Sequence, residues 1–149
     1  YGYYYWNVRF IFWNGEIILA TRTQARESVI GLLYAYDLGN EGIVKFVDEI
    51  LEDKKIRNQQ KEFALKLFNG TIEKIEKIDQ EIISHLNQRT LEDLGSVEKS
   101  ILRLAVYEIL FENLPKAIII NEAIELSKRL ASDGAPKFVN GLLDKIIKA

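Results

Sequence analysis

The side chains in this sequence that are best equipped for chemistry are suited to recognition rather than bond breaking. Lys137, Phe138 and Asn140 stand together at the start of a predicted helix, where Gly134 gives the preceding loop its freedom. Phe138 directly precedes Val139 of the apolar stripe, so the two cannot both point at the core centre. An exposed phenylalanine there offers a face for stacking a base, while Lys137 and the free amides of the first turn hold phosphate; the alternative is packing against a neighbouring helical bundle. Tyr34 lies off the main stripe of its own helix, either rimming the core or offering a second aromatic face, worth roughly 1–3 kcal/mol per stacked base. Arg103 could complete a basic surface or pair with a nearby glutamate. Arg22 and Arg26, read alone, are solvated surface charge. His85 is the only histidine, and a lone histidine cannot supply a metal site without carboxylate companions at ligand spacing, of which none stand out. No glycine-rich phosphate loop and no nucleophile motif occurs. No catalytic residue, metal site or cofactor is expected.

Helices must position these residues. Thr21 with Gln24 three residues later resembles a capping box, and Ala25, Val29, Leu32, Leu33 and Tyr36 follow as a buried stripe, stopped by Gly39 and Asn40. A second helix is predicted from Glu41, with Ile43, Phe46, Val47, Ile50 and Leu51 facing inward. A long helical pattern spans about 58–87, with Phe63, Leu67, Ile75, Ile78, Ile82 and Leu86 inside; Gly70 within it marks a bend or the close approach of another helix. After a short link at Leu91 and Leu94, Ser96 is the predicted N-cap of a helix carrying Val97, Ile101, Leu104 and Ala105. Pro115 lies past its end. Ile120, Ala123, Ile124, Ser127 and Leu130 form another stripe, and Pro136 opens a last helix with Val139, Leu142, Leu143, Ile146 and Ile147 inside. The expected fold is all-α.

Composition narrows the function classes. The chain is 48% hydrophobic and 28% charged, enough for a core in one helical unit. No apolar run approaches the roughly 20 residues that span a bilayer. With no cysteine there is neither a disulfide framework nor a thiolate zinc site, which fits a cytoplasmic location. A protein that holds nucleic acid by bulk charge alone is usually basic, so at a net charge of −2 RNA affinity would need a local basic patch, a partner, or both. Residues 1–19 differ from the rest: tyrosine, tryptophan and phenylalanine crowd them, and Asn14-Gly15 between two apolar runs signals a hairpin. The alternative expectation is a segment of non-native origin, such as an expression leader or translation begun upstream.

Several motifs carry a family resemblance. GSVEK at 95–99, INEAIEL at 120–126 and KFVNG at 137–141, followed by LDK at 143–145, resemble in order and spacing the NusB family of bacterial transcription antitermination proteins. Upstream, ARE at 25–27 and LY at 33–34 extend the likeness, which covers about 20–145. It implies about seven helices in two interlocked three-helix bundles, an N-terminal bundle over about 20–88 and a C-terminal one over about 89–149, with 1–19 outside the family pattern.

The resemblance also implies a function. NusB-like proteins bind the boxA element of ribosomal RNA leader transcripts together with the small-subunit ribosomal protein NusE, and act with other Nus factors on the RNA polymerase elongation complex. Their arginine-rich first helix contacts RNA phosphates, which assigns Arg22 and Arg26 to RNA beside Tyr34, Arg103, Lys137, Phe138 and Asn140. Thr23 and Gln24 replace residues that are often basic, so a weaker affinity of the isolated protein is expected. Glu92 and Glu98 match acidic positions of the NusE-binding face, suited to a basic ribosomal partner; read alone, Glu98 favours a helix N-terminus. Both a monomer and a homodimer remain open. Two other readings stand beside this one: a helical protein-interaction module without RNA affinity, and an accessory domain of a ribosomal RNA methyltransferase, for which 149 residues are expected to leave no room for a catalytic domain.

Overall fold

The computed structural model describes residues 21–149 in full and, ahead of them, only the backbone of three short antiparallel strands: β1 (Gly2–Tyr5), β2 (Val8–Trp13) and β3 (Glu16–Ile17). Trp13 pairs with Glu16 and Phe12 with Ile17. The turn expected at Asn14-Gly15 lies outside the described residues.

From Arg22 onward the described chain is helical, with seven α-helices and two 3₁₀ turns: α1 (Arg22–Asp37), the turn Glu41–Phe46, α2 (Val47–Asp53), α3 (Gln59–Glu73), α4 (Ile75–Ser84), the turn Leu91–Asp93, α5 (Ser96–Phe111), α6 (Lys116–Leu130) and α7 (Ala135–Lys148). It clusters into two compact units, residues 1–68 and 69–149.

In the first unit, α1 begins with the predicted capping box: the Gln24 amide donates to Thr21 Oγ1 at 3.0 Å and the Thr21 amide to Gln24 Oε1 at 2.8 Å. It ends in a Schellman turn. Asn40 N–H bonds Ala35 C=O, Gly39 N–H bonds Tyr36 C=O, and Gly39 takes φ +102°. Ala25, Val29, Leu32 and Leu33 are buried as the spacing predicts. The helix expected from Glu41 starts only at Val47. The preceding six residues form a 3₁₀ turn, and Phe46, predicted inward, is 52% exposed. The tighter 3₁₀ winding takes three residues per turn rather than 3.6, so the α-helical spacing of Ile43 and Phe46 no longer aligns them with Val47 and Leu51.

In the second unit, Gly70 is a site of close approach and not a bend. A methyl group there would overlap the ring and hydroxyl of Tyr107 on α5. The break in the long predicted helix falls instead at Lys74, between α3 and α4. The N-cap of α5 is Gly95, one residue before the predicted Ser96, and makes no side-chain cap bond. Ser100 to Ile109 are buried without a break. α5 packs on α4, α6 and α7, so no face of its middle turns is left to water. Pro136 lies in the first turn of α7, and Val139, Leu142, Leu143 and Ile146 are buried.

Candidate nucleic-acid interface

α7 positions the densest group of candidate residues. Its buried stripe turns Val139 and Leu142 inward, leaving Lys137 and Asn140 exposed and Phe138 half-buried at the rim. Phe138 and Lys137 line a groove of about 310 Å³ with His85, Asn87, Arg89 and Lys145. The Arg89 guanidinium lies over the Phe138 ring, 4.7 Å from its centroid. Lys145, two turns beyond Phe138 on α7, and Arg89, in the link after α4, were not singled out from sequence. Lys145 is legible in its seven-residue spacing from Phe138, which returns it to nearly the same helix face; Arg89, in a link, has no periodicity to reveal it. His85 is held by its own helix: Nδ1 is 3.0 Å from both the Ser84 side-chain Oγ and the Glu81 backbone C=O. No acidic side chain lines this groove. Asn140 is exposed on α7 but does not line it.

The link carrying Arg89 is fixed at both sides. Before it, Gln88 takes φ +54°. After it, Thr90 and Asp93 form a reciprocal capping box, with the Thr90 amide donating to Asp93 Oδ2 at 2.8 Å. Those hydrogen bonds from Thr90, backbone first, hold the Asp93 carboxyl below its ordinary value, and the charge of Arg89 adds to the effect.

Arg103 lies elsewhere. It is 7% exposed and forms a two-pronged pair with Asp79 of α4, Nε to Oδ1 and Nη2 to Oδ2, both at 2.8 Å. This arginine ties α5 to α4 and is not part of an exposed basic surface. Glu92 is exposed on its 3₁₀ turn, and Glu98 is half-buried in the first turn of α5, where it accepts a hydrogen bond from Ser132 Oγ at 3.1 Å.

In the first unit, Arg22 and Arg26 approach the same Phe63 ring, at 4.7 and 5.1 Å. Their exposure differs sharply. Arg22 is half-buried, whereas Arg26 is 1% exposed and among the largest fully buried side chains. The spacing held the signal: Arg26 precedes Val29 by three residues and Leu33 by seven, which puts it on their stripe. Tyr34 is 38% exposed, as a stacking platform requires.

The NusB family model matches residues 23–148. This chain belongs to the NusB family. It is 82% identical over 131 residues to the transcription antitermination protein NusB of Aliarcobacter butzleri strain RM4018, covering 88% of this chain and all of the relative. It is 56% identical over 131 residues to NusB of Campylobacter jejuni strain RM1221, covering 88% of this chain and 98% of that one. Among solved structures, T. maritima NusB matches with a TM-score of 0.77 at 34% identity, over 87% of this chain and 92% of its own. A structure of the antitermination factors NusB and NusE in complex with double-stranded RNA matches with a TM-score of 0.77 at 36% identity, over 85% of this chain and 96% of that chain. The NusB fold is thus shared across the matched region.

Proposed function

We propose that this antitermination factor works by holding boxA RNA of ribosomal RNA leader transcripts together with NusE, in the cytoplasm, as part of an RNA polymerase elongation complex with other Nus factors. The observation that carries the RNA part is the groove beside α7: Arg89, Lys137 and Lys145 with the Phe138 ring and no lining carboxylate, in a chain of net charge −2. A local concentration of cations around an aromatic face suits single-stranded RNA, where phosphates supply affinity and unstacked bases take the ring. Asn140 extends this surface, and Arg22 and Tyr34 are the corresponding groups in the first unit. Glu92 and Glu98 provide acidic positions for a basic NusE. The solved complex of a NusB relative with NusE and double-stranded RNA supports the pairing of these two partners. The burial of Arg26 and Arg103 favours a second reading, an interaction module with little RNA affinity of its own.

Fluorescence anisotropy of labelled boxA RNA separates the two readings. The protein is titrated alone and with NusE, at two salt concentrations, against a scrambled RNA. Preference for boxA that NusE strengthens is expected. Equal binding of boxA and scrambled RNA in the presence of NusE refutes the antitermination-by-boxA reading and leaves the interaction module.

A further inference from the structure

We propose that Arg89 is a nucleotide-binding residue with two positions: it covers the Phe138 ring in the free protein, then yields the ring to a base and takes a phosphate of the same RNA. This rests on the RNA-binding reading above and gives its groove an occupant, one nucleotide of single-stranded RNA.

Three observations carry it. The first is the kind of contact Arg89 makes. Arg103 is nearly buried and locked by two 2.8 Å bonds to one carboxylate, whereas Arg89 is exposed and stands 4.7 Å over a phenylalanine ring. An exposed guanidinium on a ring is worth about 0.5–1 kcal/mol. A base stacked on the same ring is worth roughly 1–3 kcal/mol. The exchange is therefore favourable before the released cation meets a phosphate. Asp93, the acid on which the charge of Arg89 acts, already receives the Thr90 amide at 2.8 Å.

The second observation is where the displaced cation would land. Lys137 and Lys145 stand on the same groove wall as Phe138, and no acidic side chain lines the space. A phosphate there meets up to three cations. The groove, at about 310 Å³, lies at the small end of ligand-sized clefts, which run from roughly 300 to 1,000 Å³, and so suits a single nucleotide better than a duplex. The third observation is the backbone. Gln88 is held at φ +54°, a conformation that costs a residue with a side chain on the order of 1 kcal/mol, immediately before Arg89. The Thr90–Asp93 box fixes the chain immediately after it. The backbone is thus anchored on both sides while the long side chain remains able to swing.

The test compares the full chain with Arg89→Ala and Arg89→Lys, using a labelled single-stranded boxA RNA with NusE across a salt series, with urea denaturation as the folding check. Arg89→Ala is expected to weaken binding about tenfold, the loss of one charge-assisted contact, and to reduce the salt slope by about 0.7, the loss of one phosphate contact on a single strand. Arg89→Lys is expected to recover the slope. In parallel, the Nε–H resonance of Arg89 in arginine-labelled protein is expected to carry a ring-current shift that disappears on adding RNA. Unchanged affinity and slope in Arg89→Ala, tighter binding with an unchanged slope, or a ring-current shift that persists in the complex each overturns the proposal. Loss of binding in Phe138→Ala alongside unchanged binding in Arg89→Ala leaves the groove as an RNA site and removes Arg89 from it. Wild-type protein that ignores RNA even with NusE overturns both readings together.

Discussion

Replacing Asp79 with alanine takes from Arg103 a carboxylate that meets it at two points. The Arg103 and Asp79 side chains are 9% and 19% exposed, and both hydrogen bonds are 2.8 Å long. Breaking a buried pair by removing one partner typically costs about 3–5 kcal/mol, because the remaining charge stays buried. Partial exposure places Asp79→Ala at the low end, near 3 kcal/mol. The carboxylate is about one-fifth exposed, so water already screens it. Replacing both residues with leucine removes the desolvation cost along with the attraction, so the double variant is expected within about 1 kcal/mol of the parent. Urea denaturation followed by far-UV circular dichroism measures both, with the slope checked for constancy. Against a total stability of about 5–15 kcal/mol the single substitution is easily seen. A cost below about 1 kcal/mol for Asp79→Ala would show that solvent, rather than the carboxylate, neutralises Arg103, and would refute the argument from burial. The same variants test the reassignment of Arg103: the double variant is expected to keep the full salt dependence of RNA binding, and a slope lowered by about 0.7 would return Arg103 to the RNA surface.

Two further outcomes follow from the second unit. Gly70→Ala gains about 1 kcal/mol of helix propensity but drives a methyl group into the Tyr107 ring, an overpacking cost of typically 1–3 kcal/mol, so a net loss of stability is expected, with Tyr107→Leu in the same chain recovering most of it; a more stable Gly70→Ala protein by urea denaturation would contradict the close approach. Asp93 has a folded pKa below its ordinary 3.8, so its contribution to stability is fully present above that value and is lost as pH falls through the lower, folded one. The urea midpoint of the parent is therefore expected to fall faster than that of Asp93→Asn as pH falls below the ordinary aspartate value, and parallel curves would show that the capping box does not respond to the charge.

Helical spacing exposed most of the architecture where a helix has one wet side. The stripes of α1 and α7 were read almost residue by residue, and so were the Thr21 capping box and the stop at Gly39. Spacing failed where that asymmetry is missing. α5 is enclosed by three other helices, so Leu102, Val106 and Ile109 are as buried as the Ile101 and Leu104 that the stripe identified. It failed again at Phe46, where a 3₁₀ turn changes the period, and at Lys74, where nothing in the residue type marks a break. For the candidate site, residue type misleads in one direction: arginine reads as surface, although the stripe position of Arg26 places it with Val29 and Leu33. What remained hidden was any contact that depends on chain reversal. No periodicity links Arg89, in a link after α4, to Phe138 on α7, and only the folded chain sets one over the other.

How a chain of net charge −2 presents a positive surface follows from what its cations touch. Lys61 meets both Asp48 and Glu52, Arg57 meets Glu52, and Arg103 meets Asp79; in each case the positive field is cancelled within a few ångströms. Arg22 stands over Phe63 and Arg89 over Phe138. A ring orients a cation through its quadrupole without neutralising it, so the full charge still acts on its surroundings. Lys61 shows the contrast: its hydrogen bonds to Asp48 and Glu52 raise its pKa, tying its proton to acidic partners. Aromatic pairing thus lets a slightly acidic protein hold selected cations in place with their field intact. In the groove beside α7 the ring that holds the cation is also the surface a base would stack on, which couples the uncovering of Phe138 to the release of a charge for phosphate.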